Sequence, residues 1–196
     1  MLSSVRTAAA LVVLLLGSLG LSGCSGNSAD EALGPKPSLP ATPTEALWNP
    51  CTALSLDRVE TLLDSSLSRN AGTPEEPICQ FTPTVEGGPA VTVNYQLFNG
   101  TMEQLIASFG VISNAPGSND RTEVEKVNEP RSDGARLVLL VQDDTLAITG
   151  FVKNGALVQL VNLVQPAPYD REVLRAGVAK MIGNLAARAD ESGLSD

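Results

Sequence analysis

The chain opens with Arg6, the unbroken apolar run Ala8–Leu16, and then the small residues Gly17, Ser18 and Gly20. A positive residue, a short apolar run and small residues together make an export leader. A membrane-spanning helix needs about 20 apolar residues. Extending this run to Leu21 brings in glycine and serine, which weaken a helix, so the segment reads as a leader and not as a span. This constrains folding more than any other feature of the sequence. The rest of the chain is expected to fold outside the cytoplasm, in an oxidising compartment where disulfides persist.

The residues Leu21-Ser22-Gly23-Cys24 resemble the lipobox of bacterial lipoproteins. The resemblance implies that residues 1–23 are a signal peptide removed just before Cys24, and that the Cys24 thiol carries a diacylglycerol. The implied partner is a membrane, with the protein on its extracytoplasmic face. Each buried methylene contributes about 0.8 kcal/mol, and two or more acyl chains anchor stably. With Cys24 lipidated, Cys51 and Cys79 remain. They are expected to pair, closing a loop that stabilises by about 3–4 kcal/mol on the chain-entropy estimate. The competing readings are a metal site and a reactive thiol; two cysteines in a chain without histidine make a poor zinc site.

The absence of histidine reaches further. Neither a serine–histidine nor a cysteine–histidine nucleophile can be built. The net charge is −9, and removing the leader also removes Arg6. Such a surface repels nucleic acid, so no nucleic-acid partner is expected; with no histidine cluster and no phosphate loop, no metal or cofactor is expected either. Gly87-Gly88 lies between two strand patterns and has no helix start with which to hold phosphate. Asp143-Asp144 reads as a turn, because neighbouring strand residues point to opposite faces. Glu123, Glu125 and Glu129, with Asp120 and Arg121, read as a solvated sheet edge that discourages edge pairing. Asn99-Gly100-Thr101 reads as the approach to a capped helix. Trp48 reads as a plug over the disulfide, and Tyr95, Phe98, Phe109, Phe151 and Tyr169 as core or rim.

Residues 24–47 hold Pro35, Pro37, Pro40 and Pro43 among small polar residues, the composition of an extended tether. A globular domain is expected over residues 48–190, with a frayed tail at 191–196. Three helices are predicted. The first is capped by Thr52 or Ser55 and has an apolar face of Leu56, Val59, Leu62, Leu63 and Leu67. The second carries a Thr101/Gln104 capping box. The third is capped by Asp170, with Val173, Leu174, Val178, Met181, Ile182 and Leu185 on one stripe. Strands are predicted at 78–83, 91–97, 122–127, 135–142, 145–152 and 156–164, with a hairpin at Asn154-Gly155. The order α-β-β-α-β-β-β-β-α predicts an α+β fold: an antiparallel sheet of about six strands packed by three helices as an αβα sandwich.

Trp48-Asn49-Pro50-Cys51 leading into a helix, with Ile78-Cys79-Gln80-Phe81 opening a strand, is similar to a group of actinobacterial cell-envelope lipoproteins that share a domain of unknown function. The topology also resembles the PsbP/Mog1 group. These likenesses imply location, fold and a cleft for a ligand or partner, and they supply no catalytic motif. The expected function is a non-catalytic binding module for an apolar envelope ligand, such as a lipid, or for an envelope protein. An accessory subunit of a membrane complex is the alternative. A carboxylate-based cell-wall hydrolase would need two facing acids, and the sequence nominates no pair.

Overall fold

The computed structural model describes residues 48–73, 75–109 and 121–193. The expected signal peptide 1–23, Cys24, the expected tether, Asp120 and the tail beyond 193 lie outside the described residues. The domain begins with a 3-10 turn, Pro50–Thr52, which the Asn49 side chain caps by accepting from the Cys51 N–H at 2.8 Å. Helix α1 spans Leu56–Leu63, with Ser55 at its N-cap in extended backbone. It ends at Asp64, whose φ of 49° is left-handed. Glu60 then turns the chain back: its carbonyl accepts from Ser65 N–H at 3.2 Å and its carboxylate from Leu67 N–H at 2.8 Å.

That reversal corrects the expectation for Leu67. It is not on the helix face but opens β1 (Leu67–Asn70), a seventh strand that the sequence pattern did not show. After it come β2 (Cys79–Pro83), β3 (Ala90–Leu97), α2 (Met102–Ser108), β4 (Arg121–Val127), β5 (Gly134–Gln142), β6 (Thr145–Asn154), β7 (Leu157–Pro166) and α3 (Arg171–Glu191). Of the three predicted caps, Ser55 holds the N-cap position of α1 without a side-chain hydrogen bond, and the other two form fully. Thr101 Oγ accepts from Gln104 N–H while Gln104 Oε1 accepts from Thr101 N–H. Asp170 Oδ1 accepts from the N–H groups of Glu172 and Val173 at 3.0 Å each.

The fold is α+β, with seven antiparallel strands in the order β1-β2-β3-β7-β6-β5-β4. Asp143 and Asp144 both have positive φ, 46° and 61°, which makes the tight primed turn between β5 and β6. The β6–β7 loop falls one residue later than the dipeptide suggests: Asn154 pairs with Leu157, leaving Gly155 and Ala156 at the bend.

Strand alternation divides the sheet into two apolar faces. Leu137 and Leu139 of β5, Leu146, Ile148 and Val152 of β6, and Val161 and Leu163 of β7 pack with Val59 and Leu63 of α1 and with Val178, Met181, Ile182 and Leu185 of α3. On the other face, Phe151, Val158 and Leu160 meet Met102 and Leu105 of α2. The sheet therefore has helices on both sides, and β5 to β7 are apolar on both faces because both are covered.

Two glycines set how closely α3 can lie. A Cβ on Gly150 would stand 2.8 Å from both Ile182 Cγ2 and Val178 Cγ1. One on Gly177 would stand 2.8 Å from the Leu62 carbonyl oxygen and 2.7 Å from Leu63 Cδ2. In an open helix, glycine to alanine stabilises by about 1 kcal/mol. Here Gly177→Ala must push α1 away from α3, and urea denaturation should show a loss of about 1–3 kcal/mol. A gain in stability would refute the close contact.

Candidate functional site

Cys51 and Cys79 are brought together as expected, with Sγ atoms 1.91 Å apart, Cα atoms 5.2 Å apart and a sequence separation of 28. Cys79 is wholly buried at the start of β2, and Cys51 lies in the 3-10 turn. Asn49 Nδ2 also donates to the Ala71 carbonyl, so the start of the domain is stitched to the end of β1. Trp48, expected over the cysteines, has its ring against Tyr95 of β3, centroids 5.8 Å apart in an edge arrangement. The Arg188 guanidinium lies 5.9 Å from the Trp48 ring centroid. Burial pushes the Tyr95 phenol well above the usual tyrosine range, and the Arg188 charge pulls in the opposite sense with less effect.

A cleft of about 420 Å³ opens at the other end of α3. Three segments form it: Leu63, Asp64 and Ser65 after α1, Gln165 at the end of β7, and Pro168 to Leu174 leading into α3. Leu63 and Leu174 are buried and make an apolar floor, while Val173 is 37% exposed. The cleft is open to solvent, and its lining is at least as polar as it is apolar. Gln165 Nε2 donates to the Pro168 carbonyl at 3.3 Å, steadying the rim. The peptide bond before Pro168 is cis. Asp64 and Asp170 share this lining, an acidic pair that the sequence did not suggest. One oxygen of Asp170 is committed to capping α3.

The other nominated acids fall elsewhere. Glu125 pairs with Arg175 at 2.7 Å, and Glu123 with Arg171, both across to α3. The carboxylates remain part-exposed, at 57% for Glu123 and 41% for Glu125. Glu129 departs from the solvated reading. Its side chain is only 10% exposed and holds Arg131, whose Nη2 also donates to the Gly183 carbonyl of α3 at 3.3 Å. Arg171 and Arg175 are one helical turn apart and Glu123 and Glu125 two strand residues apart, and that matching spacing was the missed signal. Phe109 is 47% exposed, its ring edge on Phe151.

No helix among the described residues is long and apolar enough to cross a membrane. Compared with known proteins, the chain matches no family model and no curated relative.

Two measurements follow from the Cys51–Tyr95 corner. The double variant Cys51→Ala/Cys79→Ala should lose about 3–4 kcal/mol of unfolding free energy, the chain entropy released on opening the loop; unchanged stability would show that the bridge constrains nothing. Tyr95 should set an alkaline limit. Its folded pKa lies above the unfolded value of about 10, so the stabilisation is complete below that pH and is lost as the pH climbs toward the folded pKa. Tyr95→Phe should flatten the fall in denaturation midpoint above pH 10 relative to the native chain, and parallel curves would contradict the burial effect.

Proposed function

We propose that this chain is a lipid-anchored lipoprotein of the extracytoplasmic membrane face, acting as a non-catalytic binding module for an apolar envelope ligand or an envelope protein. The observation that carries the reading is the Cys51/Cys79 pair, at bonding distance in the first turn after the tether. Such pairs persist in oxidising compartments, where a chain held through Cys24 would present its domain. The resemblance of Leu21-Ser22-Gly23-Cys24 to a lipobox supports the anchor. The likeness to actinobacterial envelope lipoproteins and the PsbP/Mog1 group belongs to the same reading.

For the ligand, the support is the cleft over Leu63 and Leu174, with Val173 exposed on its wall. The space between the sheet and α1 and α3 is filled by mutually packed side chains, so an apolar ligand would sit in the end cleft and not between the layers. The accessory-subunit reading draws on a different surface. Val124 and Val164 are 49% and 46% exposed on the face of the sheet opposite α3, where a protein partner could cover them.

The test uses the full-length chain expressed in a bacterium that processes lipoproteins. The native chain should incorporate labelled palmitate and enter the detergent phase of a Triton X-114 separation. Cys24→Ala should stay unlabelled and keep its leader. Equal labelling of the two would remove the anchor. Native mass spectrometry of the released complex then decides between ligand classes: a lipid-sized surplus mass favours the cleft, and a stoichiometric protein favours the Val124–Val164 face.

A further inference from the structure

The central strand β7 carries one residue that its surroundings do not explain. Gln159 is wholly buried between Val158 and Leu160. Its Nε2 donates to the Leu185 carbonyl of α3 at 3.0 Å. A carbonyl can only accept, so this bond fixes the amide orientation and turns Oε1 away from α3's backbone. That oxygen has no hydrogen-bond partner among the described residues. Tyr95 pairs with Gln159 across the β3–β7 ladder. Directly opposed residues share a face of the sheet, which places the phenol beside the amide. Arg188 lies three residues beyond Leu185 on α3, and Trp48 is held against both Tyr95 and Arg188.

Tyr95 Oη, Trp48 Nε1 and Arg188 Nε are also buried atoms without a partner among the described residues. The four atoms belong to side chains that adjoin one another, Trp48 on Tyr95 and Arg188, and Tyr95 across from Gln159. Each unmet buried group costs on the order of 1–3 kcal/mol, and native structures keep few of them. The Arg188 side chain is 42% exposed, so the corner has a route to solvent.

We propose that the corner formed by Trp48, Tyr95, Gln159 and Arg188 is a binding site for a neutral polyol, a sugar-like vicinal diol. Trp48 Nε1–H, Arg188 Nε–H and Tyr95 O–H are donors, and Gln159 Oε1 needs a donor in return. A hydroxyl accepts two hydrogen bonds and donates one, so two adjacent hydroxyls can answer all four atoms. An anion fits worse, because it would face the Gln159 oxygen, and Glu191 Oε2 already lies 3.5 Å from Arg188 Nη1. The site is separate from the cleft. Val173 and Arg188 are fifteen residues apart on α3, about 22 Å along the helix axis.

Trp48 is the only tryptophan in the chain, so its fluorescence reports on this corner alone. The full-length chain in a phosphocholine detergent is titrated with methyl glucoside, with a glucosyl diacylglycerol added to the micelles, and with sodium acetate. A saturable emission change with methyl glucoside at millimolar concentration is expected. A response to the glycolipid alone also supports the diol and assigns its source as lipid-borne. Tyr95→Phe should weaken binding about tenfold, the loss of one net hydrogen bond, and Gln159→Met by at least as much. Val85→Asn, on an exposed loop outside both sites, should leave it unchanged. Thermal melts identify any variant that fails to fold; if Gln159→Met does, Tyr95→Phe decides. The proposal is overturned by a saturable response to acetate but to neither diol, by no saturable response at all, or by equal affinity in Tyr95→Phe. None of these results bears on palmitate labelling at Cys24, so the anchor reading stands or falls separately.

Discussion

The contact between α3 and strands β6 and β7 is the constraint from which the other layers take their positions. The pleat turns Leu146, Ile148, Gly150 and Val152 of β6 and Val161 and Leu163 of β7 toward the helix, and Gly150 removes the Cβ that would hold it off. The same helix then locates its neighbours. Gly177 receives the end of α1, and Arg171 and Arg175 reach the edge strand β4. Arg131 crosses from the β4–β5 connection to the Gly183 carbonyl. The magnitudes rank these contacts. A buried Leu or Ile contributes roughly 1.5–3 kcal/mol, whereas part-exposed ion pairs contribute about 0–1 kcal/mol. Apolar burial therefore places α3, and the arginines settle its rotation and the edge it favours.

Much of this is legible in the sequence where a local rule decides the outcome. Thr101 with Gln104, Asp170, the Asp143-Asp144 turn and the strand over Val91 to Leu97 each depend on residues a few positions apart, and each forms, although Leu97 at the end of that strand's apolar face is 64% exposed. Leu67 shows where such rules stop. It sits four residues after Leu63, as a helix face would demand, but Asp64 is left-handed and the helix has ended. The strand it opens has one buried residue followed by three exposed ones. Nothing in Leu67-Ser68-Arg69-Asn70 alternates, and the segment is a strand only because β2 pairs with it. Val173 fails for a related reason: the apolar stripe of α3 includes it, yet it lies on the cleft.

The Glu123/Glu125 edge lies between these cases. The alternating charges remain part-exposed at the sheet edge, but they lie on the face that α3 covers and pair with residues about fifty positions away. One helical turn from Arg171 to Arg175 rises about 6 Å, and two strand residues from Glu123 to Glu125 advance about 6.6 Å. Those periods match only when helix and strand run side by side, a fact of tertiary structure. The cleft is less legible still, because its walls come from positions near 64, 165 and 170 that share no pattern.

The cleft and the corner around Trp48 lie toward the two ends of α3, and between them the helix packs on leucine, isoleucine, valine and methionine, with Gln159 buried among them. A fully packed helix–sheet interface has no room for a ligand, since interiors approach crystal density. Openings form where the helix runs beyond the sheet's cover or meets a connection. Gln159 is informative because it lies inside the sealed region, where a leucine would fill the space and leave no unmet acceptor. Its bond to the Leu185 carbonyl accounts for one end of the amide only. The other end has no partner among the described residues, and Tyr95 stands directly across the ladder from it. An occupant there would touch Trp48 and the last turns of α3 together.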